Sequence, residues 1–208
     1  MPVDVGPIVQ KRFGKEYHHL SEFVTPTNQM VVDLFHEIAG GLTEEDAIIK
    51  CWDWVCRNIR YPINCWGYPT DYHAMSAFAI GWGFYKLRGV NSRDFFSFPA
   101  ETLGWVDSSG RRWGDCEDKS FLLASLLRNI LPPERVHVVF GDYVADDKQY
   151  GHAWVQVKNG GEEYILETTW SFIPFTTPWV CNAGEYTEYV PVIMFNDIPS
   201  EYVKLSQT

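Results

Sequence analysis

The sequence predicts a single α+β domain spanning residues 1–208, with helices in its first half, an antiparallel sheet in its second, and one buried helix between them. Three observations carry this. Apolar residues recur at helical spacing over residues 30–59, at strand spacing over residues 135–168, and in an unbroken run just after Gly114-Asp115-Cys116-Glu117-Asp118. At 208 residues and 46% hydrophobic, the chain is long enough to bury one sizeable core.

Residues 1–26 show no clear period and read as an extended arm. From Thr27 to Ile38 the positions Met30, Val31, Leu34, Phe35 and Ile38 fall on one helical face, and Gly40-Gly41 stops the helix. A second helix starts at Thr43, with Asp46 three residues on as capping partner. It buries Ala47, Ile48, Cys51, Trp52, Val55 and Ile59, and Tyr61-Pro62 ends it. Cys51 and Cys56 read as packing residues. Residues 63–113 form an aromatic-rich loop region with a short helix near His73–Ile80 and another opened by Pro99. Such a stretch serves either as a substrate-binding surface or as an irregular packing layer.

The third helix follows an abrupt change from carboxylates to Phe121, Leu122, Leu123, Ala124, Leu126, Leu127 and Ile130. Asp115 is its expected N-cap, Asp118 the capping partner, and Cys116 stands in its first turn on the stripe with Ser120, Leu123, Leu127 and Ile130. Backbone N–H groups converge at a helix start, which favours a thiolate there. Against this, Asp115, Glu117 and Asp118 surround the thiol with negative charge, which disfavours it. A cysteine that merely fills the core is the plain alternative.

After Pro132-Pro133, strands are expected at Arg135–Phe140, Tyr150–Val157 and Glu162–Thr168. A fourth is expected at Tyr189–Phe195, with Pro191 at an edge or bulge. Asn159-Gly160 is a hairpin signal. With those two residues as the loop, His152 faces Glu167 directly and Trp154 faces Ile165, on the side that receives the start of the Cys116 helix. A carboxylate beside a histidine fixes its tautomer and stabilises its imidazolium form. A thiol, a histidine and an acid together are the set that generates a thiolate nucleophile.

The composition bounds the partners. A net charge of −10 disfavours nucleic acid and anionic membranes, and no apolar run is long enough to cross a bilayer. Met1–Phe13 lacks the apolar run of a signal peptide. Five cysteines at irregular spacing fit a reduced, cytoplasmic setting better than a disulfide framework, and none has a zinc-site spacing.

The segments GDCEDKSFLLASLLR (114–128), GHAWVQV (151–157) and YILETTW (164–170) resemble the transglutaminase-like superfamily, in a form similar to the bacterial transglutaminase-like cysteine proteinases. CWDWVCRNIRYPIN and DFFSFPAETLGW resemble the segments that precede the cysteine in those proteins. The resemblance covers about residues 45–170. It implies a papain-like fold and acyl transfer, with Cys116 as nucleophile, His152 as general base and acid, and Glu167 as orienting acid, where aspartate is commoner. The oxyanion donors implied are the Cys116 N–H and one of Trp82, Trp105, Trp113 or Gln149.

The implied activity is a thiol hydrolase of amide, peptide or isopeptide bonds, with a protein or peptide substrate and no required cofactor. Transamidation, deglycosylating amidase activity, and a protein- or glycan-binding module without turnover are the alternatives. Some proteinases of this type use the flanking acids for calcium, which makes Asp115 and Glu117 candidate ligands.

Overall fold

A computed structural model describes residues 8–11, 16–61, 96–104, 106, 110–145, 147–169, 180–183 and 187–205. Its centre is the helix expected after Gly114. Within residues 1–26, expected as an extended arm, Ile8–Gln10 (β1) and Tyr17–His19 (β2) instead pair as two short antiparallel strands. A turn of 3-10 helix follows at Leu20–Phe23. Leu20, Phe23 and Val24 are buried because they are apolar and drawn into the core, where Phe23 stacks on Phe121 with ring centroids 5.2 Å apart.

Helix α1 (Gln29–Ala39) is capped by Asn28, whose side chain accepts from the Met30 N–H, and it ends at Gly40. Helix α2 (Glu44–Asn58) starts as the sequence predicts: Thr43 Oγ1 accepts from the Asp46 N–H at 3.3 Å and donates to Asp46 Oδ2 at 2.8 Å. It ends three residues before Tyr61, because Ile59–Arg60 leaves as strand β3 and pairs in parallel with β4 (Arg112–Trp113). Pro99 opens helix α3 (Pro99–Gly104) as expected. The helix expected near His73–Ile80 lies outside the described residues.

Helix α4 (Cys116–Leu127) has no inward stripe; every residue from Glu117 to Leu127 is buried. From Phe121 onward it is apolar nearly all round, and such a helix belongs inside a fold, between layers. Here α1, α2 and α3 lie against it on one side and the sheet on the other. Its four leucines, Leu122, Leu123, Leu126 and Leu127, are fully buried, each contributing about 1.5–3 kcal/mol.

The sheet has six strands in the order β10-β9-β5-β6-β7-β8, all pairs antiparallel: β5 (Val136–Ala145), β6 (Lys148–Asn159), β7 (Glu162–Leu166), β8 (Val180–Asn182), β9 (Tyr189–Phe195) and β10 (Val203–Lys204). Pro191 sits at a bulge, as its missing N–H requires: the β5–β9 register shifts between Phe140 and Gly141. Val136, Val138, Val155, Val157, Leu166 and Phe195 join the core under α4. Val139, Trp154, Ile165 and Tyr189 form a second buried cluster on the reverse face. Among the described residues, no helix is long and apolar enough to cross a membrane.

Candidate active site

The β6–β7 hairpin decides where His152 and Glu167 fall. Its loop is Gly160-Gly161, both at positive φ (61° and 90°), with Asn159 paired to Glu162. The expected Asn159-Gly160 loop is therefore displaced by one residue, and each pairing by two: Gln156, not Trp154, faces Ile165. A slip of two keeps every side chain on its face. His152 and Glu167 thus share a face diagonally, not directly opposite, and His152 Nε2 lies 2.8 Å from Glu167 Oε2. Trp154 and Ile165 do pack beside them, both buried.

Glu167 is buried and fully engaged. Oε2 also accepts from Tyr189 Oη at 2.9 Å, and Oε1 accepts from the Thr169 N–H at 2.6 Å. Burial alone would raise its pKa. The His152 charge and hydrogen bond, the Thr169 N–H and the Tyr189 hydroxyl more than offset that, and the carboxyl is held below its usual range. An ionised carboxylate only accepts, so His152 Nε2 carries a proton, and in the neutral imidazole the lone pair is on Nδ1. Helix α2 fixes the Glu167 backbone: Trp52 Nε1 donates to its carbonyl at 2.6 Å, and Cys56 Sγ stands 3.7 Å from the same oxygen.

Tyr189 and Trp52 escape a reading of the sequence, because each is far along the chain from Glu167 and no local pattern marks either. Tyr189 reaches Glu167 from β9, two strands away from β6, across β5. Gly141 on β5 pairs with His152 and makes room for this: a Cβ there would meet Trp154 at 2.7 Å and the Val190 carbonyl at 2.2 Å.

Cys116 opens α4 as predicted, but its capping differs from the expectation. Asp115 occupies the N-cap position without a side-chain cap bond, and Asp118 Oδ1 instead accepts from the Ser97 N–H at 2.9 Å, tying α3's approach to α4. The body of α4 packs on the sheet face opposite to His152 and Glu167. The thiol still reaches their neighbourhood through the strand. Paired contact with β7 ends at Val155, and the Ala153 N–H, next to His152, bonds to Cys116.

In this arrangement the thiol is protonated and 3.0 Å from Glu117 Oε2, the acceptor of its S–H. Burial first, then Glu117 and Asp115, push its pKa well up, against the Ala153 N–H. The pull of the helix start is outweighed by burial and by adjacent carboxylates. Lys119, one turn along α4, is fully buried; burial brings its pKa down to about 8, while Cys56, Glu167 and Cys116 favour its charged form. Cys51 and Cys56 are pushed up to about 12 by burial, as packing cysteines would be.

Of the candidate oxyanion side chains, Trp82 and Trp105 lie outside the described residues. Gln149 is exposed on the opposite face of β6 from His152, and Trp113 is half-buried on β4. Of the flanking acids, Glu117 faces the thiol and Asp118 takes the Ser97 N–H. Among the described residues, no group of three or more His, Cys, Asp or Glu is placed to hold a metal.

The chain is similar in structure to LapG of Legionella pneumophila. The EGTA-treated form superposes with a TM-score of 0.53 at 15% identity, over 86% of this chain and 74% of LapG. The fold is transglutaminase-like. A second LapG structure superposes on this transglutaminase-like fold with a TM-score of 0.50 at 15% identity, over 80% of this chain and 71% of that one. The calcium-bound form superposes less well, with a TM-score of 0.39 at 15% identity. No family model matches the sequence, and no curated protein does.

Proposed function

We propose that the chain is a thiol hydrolase of amide, peptide or isopeptide bonds, with Cys116 as nucleophile, His152 as general base and acid, and Glu167 as orienting acid. The observation that supports this most is the buried, ionised Glu167 held 2.8 Å from His152 Nε2. A structural ion pair does not need three donors on one carboxylate, nor a histidine next to the residue whose N–H bonds to the thiol.

The steps follow from these atoms. The S–H turns from Glu117 to His152 Nδ1, which takes the proton as Sγ attacks the carbonyl carbon. Glu167 stabilises the imidazolium that forms. His152 then protonates the departing amine, leaving a thioester on Cys116, and water activated by the same nitrogen releases the acid. The substrate proposed is a protein or peptide. Cys51, Cys56 and Cys116 are free thiols, in keeping with a reducing, cytoplasmic setting.

Alkylation tests the reading without a known substrate. Iodoacetamide at neutral pH should modify Cys116 faster than the other four cysteines, and His152→Ala should abolish that preference. Equal labelling of all five overturns the hydrolase and leaves a protein- or glycan-binding module on this fold. If labelling is selective, release of free amine from peptides, as opposed to its incorporation, separates hydrolysis from transamidation.

A further inference from the structure

We propose that Tyr61, at the end of β3, is a catalytic residue: its hydroxyl is the side-chain donor that, with the Cys116 N–H, stabilises the oxyanion formed on Cys116. This rests on the thiol-hydrolase reading and names a group that reading lacks.

The placement comes from the backbone. Ile59 pairs with Arg112 and Arg60 with Trp113 in the parallel β3–β4 pair, and the Gly114 N–H continues the ladder to the Arg60 carbonyl at 3.1 Å. Tyr61 is thereby held alongside Gly114-Asp115, where the chain turns into α4. Its phenol lies close enough to Cys116, Asp115 and Glu117 for all three to act on it. Two residues before it, Ile59 is fully buried in the core, which fixes the strand from which Tyr61 leaves.

The chemistry follows from that proximity. As Sγ bonds to the carbonyl carbon, the C=O π electrons move onto oxygen. That oxygen is one bond from the carbon that Sγ holds, so it enters the same contact shell as the phenol. The Cys116 N–H belongs to the first turn, whose N–H groups have no acceptor within the helix. Two donors then meet the charge where it develops. The pair of electrons returns to carbon when the leaving group departs, and the Tyr61 proton is never transferred. The phenol stays protonated throughout: burial, and then the negative groups at Cys116, Asp115 and Glu117, push its pKa up.

The test compares a reaction that forms an oxyanion with one that does not. p-Nitrophenyl acetate acylates a thiol through a tetrahedral oxyanion; iodoacetamide alkylates it by direct displacement. Tyr61→Phe keeps the ring and removes the hydroxyl, Cys116→Ala gives the background, and thermal melting confirms that each variant is folded. Tyr61→Phe should slow acylation of Cys116 about 10²–10³-fold, while alkylation stays within about fivefold of wild type, the worth of one ordinary hydrogen bond. Unchanged acylation, or equal losses in both reactions, overturns the assignment of Tyr61 alone. Wild-type Cys116 alkylated no faster than the other cysteines overturns the hydrolase reading, and Tyr61's role with it.

Discussion

Glu167→Gln tests the site most directly, because the substitution preserves size and removes only charge. In the wild type, Oε1 accepts from the Thr169 N–H while Oε2 accepts from both His152 and Tyr189. In the variant the amide oxygen must stay with the Thr169 N–H, which is buried and has to be satisfied. The amide NH2 then takes the place of Oε2 and donates to His152 Nε2. That fixes the other tautomer, with the proton on Nδ1 and no lone pair for the thiol. The loss of one charge-assisted hydrogen bond is worth about 1.5–3 kcal/mol, or about 10- to 150-fold in rate. The wrong tautomer extends the loss toward about 10⁴-fold. Rates of Cys116 alkylation by iodoacetamide and acylation by p-nitrophenyl acetate, followed against pH, measure it. Stability offers an independent readout. The folded pKa of Glu167 is depressed, so its contribution is present above about pH 4.3 and is lost as pH falls through the folded value. The variant should lose that part of the acid limb in its melting profile. A folded Glu167→Gln protein with wild-type rates and a wild-type pH profile refutes the reasoning.

Four further outcomes follow from the same geometry. Glu117→Gln removes the carboxylate that accepts the S–H and raises the thiol pKa, so Cys116 should alkylate several-fold faster at pH 7, with its pH profile displaced downward. Lys119→Met should raise stability at pH 7 by about 3 kcal/mol, roughly 6–12 °C in melting temperature. The folded pKa is depressed from 10.5 to about 8, so burying the charged amine costs most below pH 8; the gain should shrink as pH rises toward 10.5. Gly161→Ala places a Cβ at φ 90° in the hairpin loop and should cost about 1–2 kcal/mol, read by denaturant melts; a neutral result contradicts the Gly160-Gly161 loop. Chelation with EGTA should leave Cys116 alkylation unchanged; a loss restored by calcium would return Asp115 and Glu117 to the role of ligands.

The helices were legible in the sequence because their signals are local. Thr43 with Asp46, Gly40 and Pro99 act within one turn, and they stand where the pattern puts them. Strands β5, β6, β7 and β9 were legible for the same reason, since alternation marks which residues share a face; β1 to β4, β8 and β10 are two or three residues each, too short to show a period. Face was all that period determined: the loop residue was misplaced by one, and the contact between His152 and Glu167 survived only because the resulting slip is even. The sequence by itself thus determined the order of the main helices and of β5, β6, β7 and β9, the thiol at a helix start, and the shared face of histidine and acid. Tertiary structure decided what surrounds them. Burial on all sides of α4 sets the protonation of Cys116 and the depressed pKa of Lys119. The placing of β9 beside β5 brings Tyr189 to Glu167, α2 carries Trp52 to its backbone, and the β3–β4 pair sets Tyr61 against the thiol. Each of these is a meeting of residues separated by tens of positions. It depends on desolvation and strand order, and neither leaves a periodic mark on the chain.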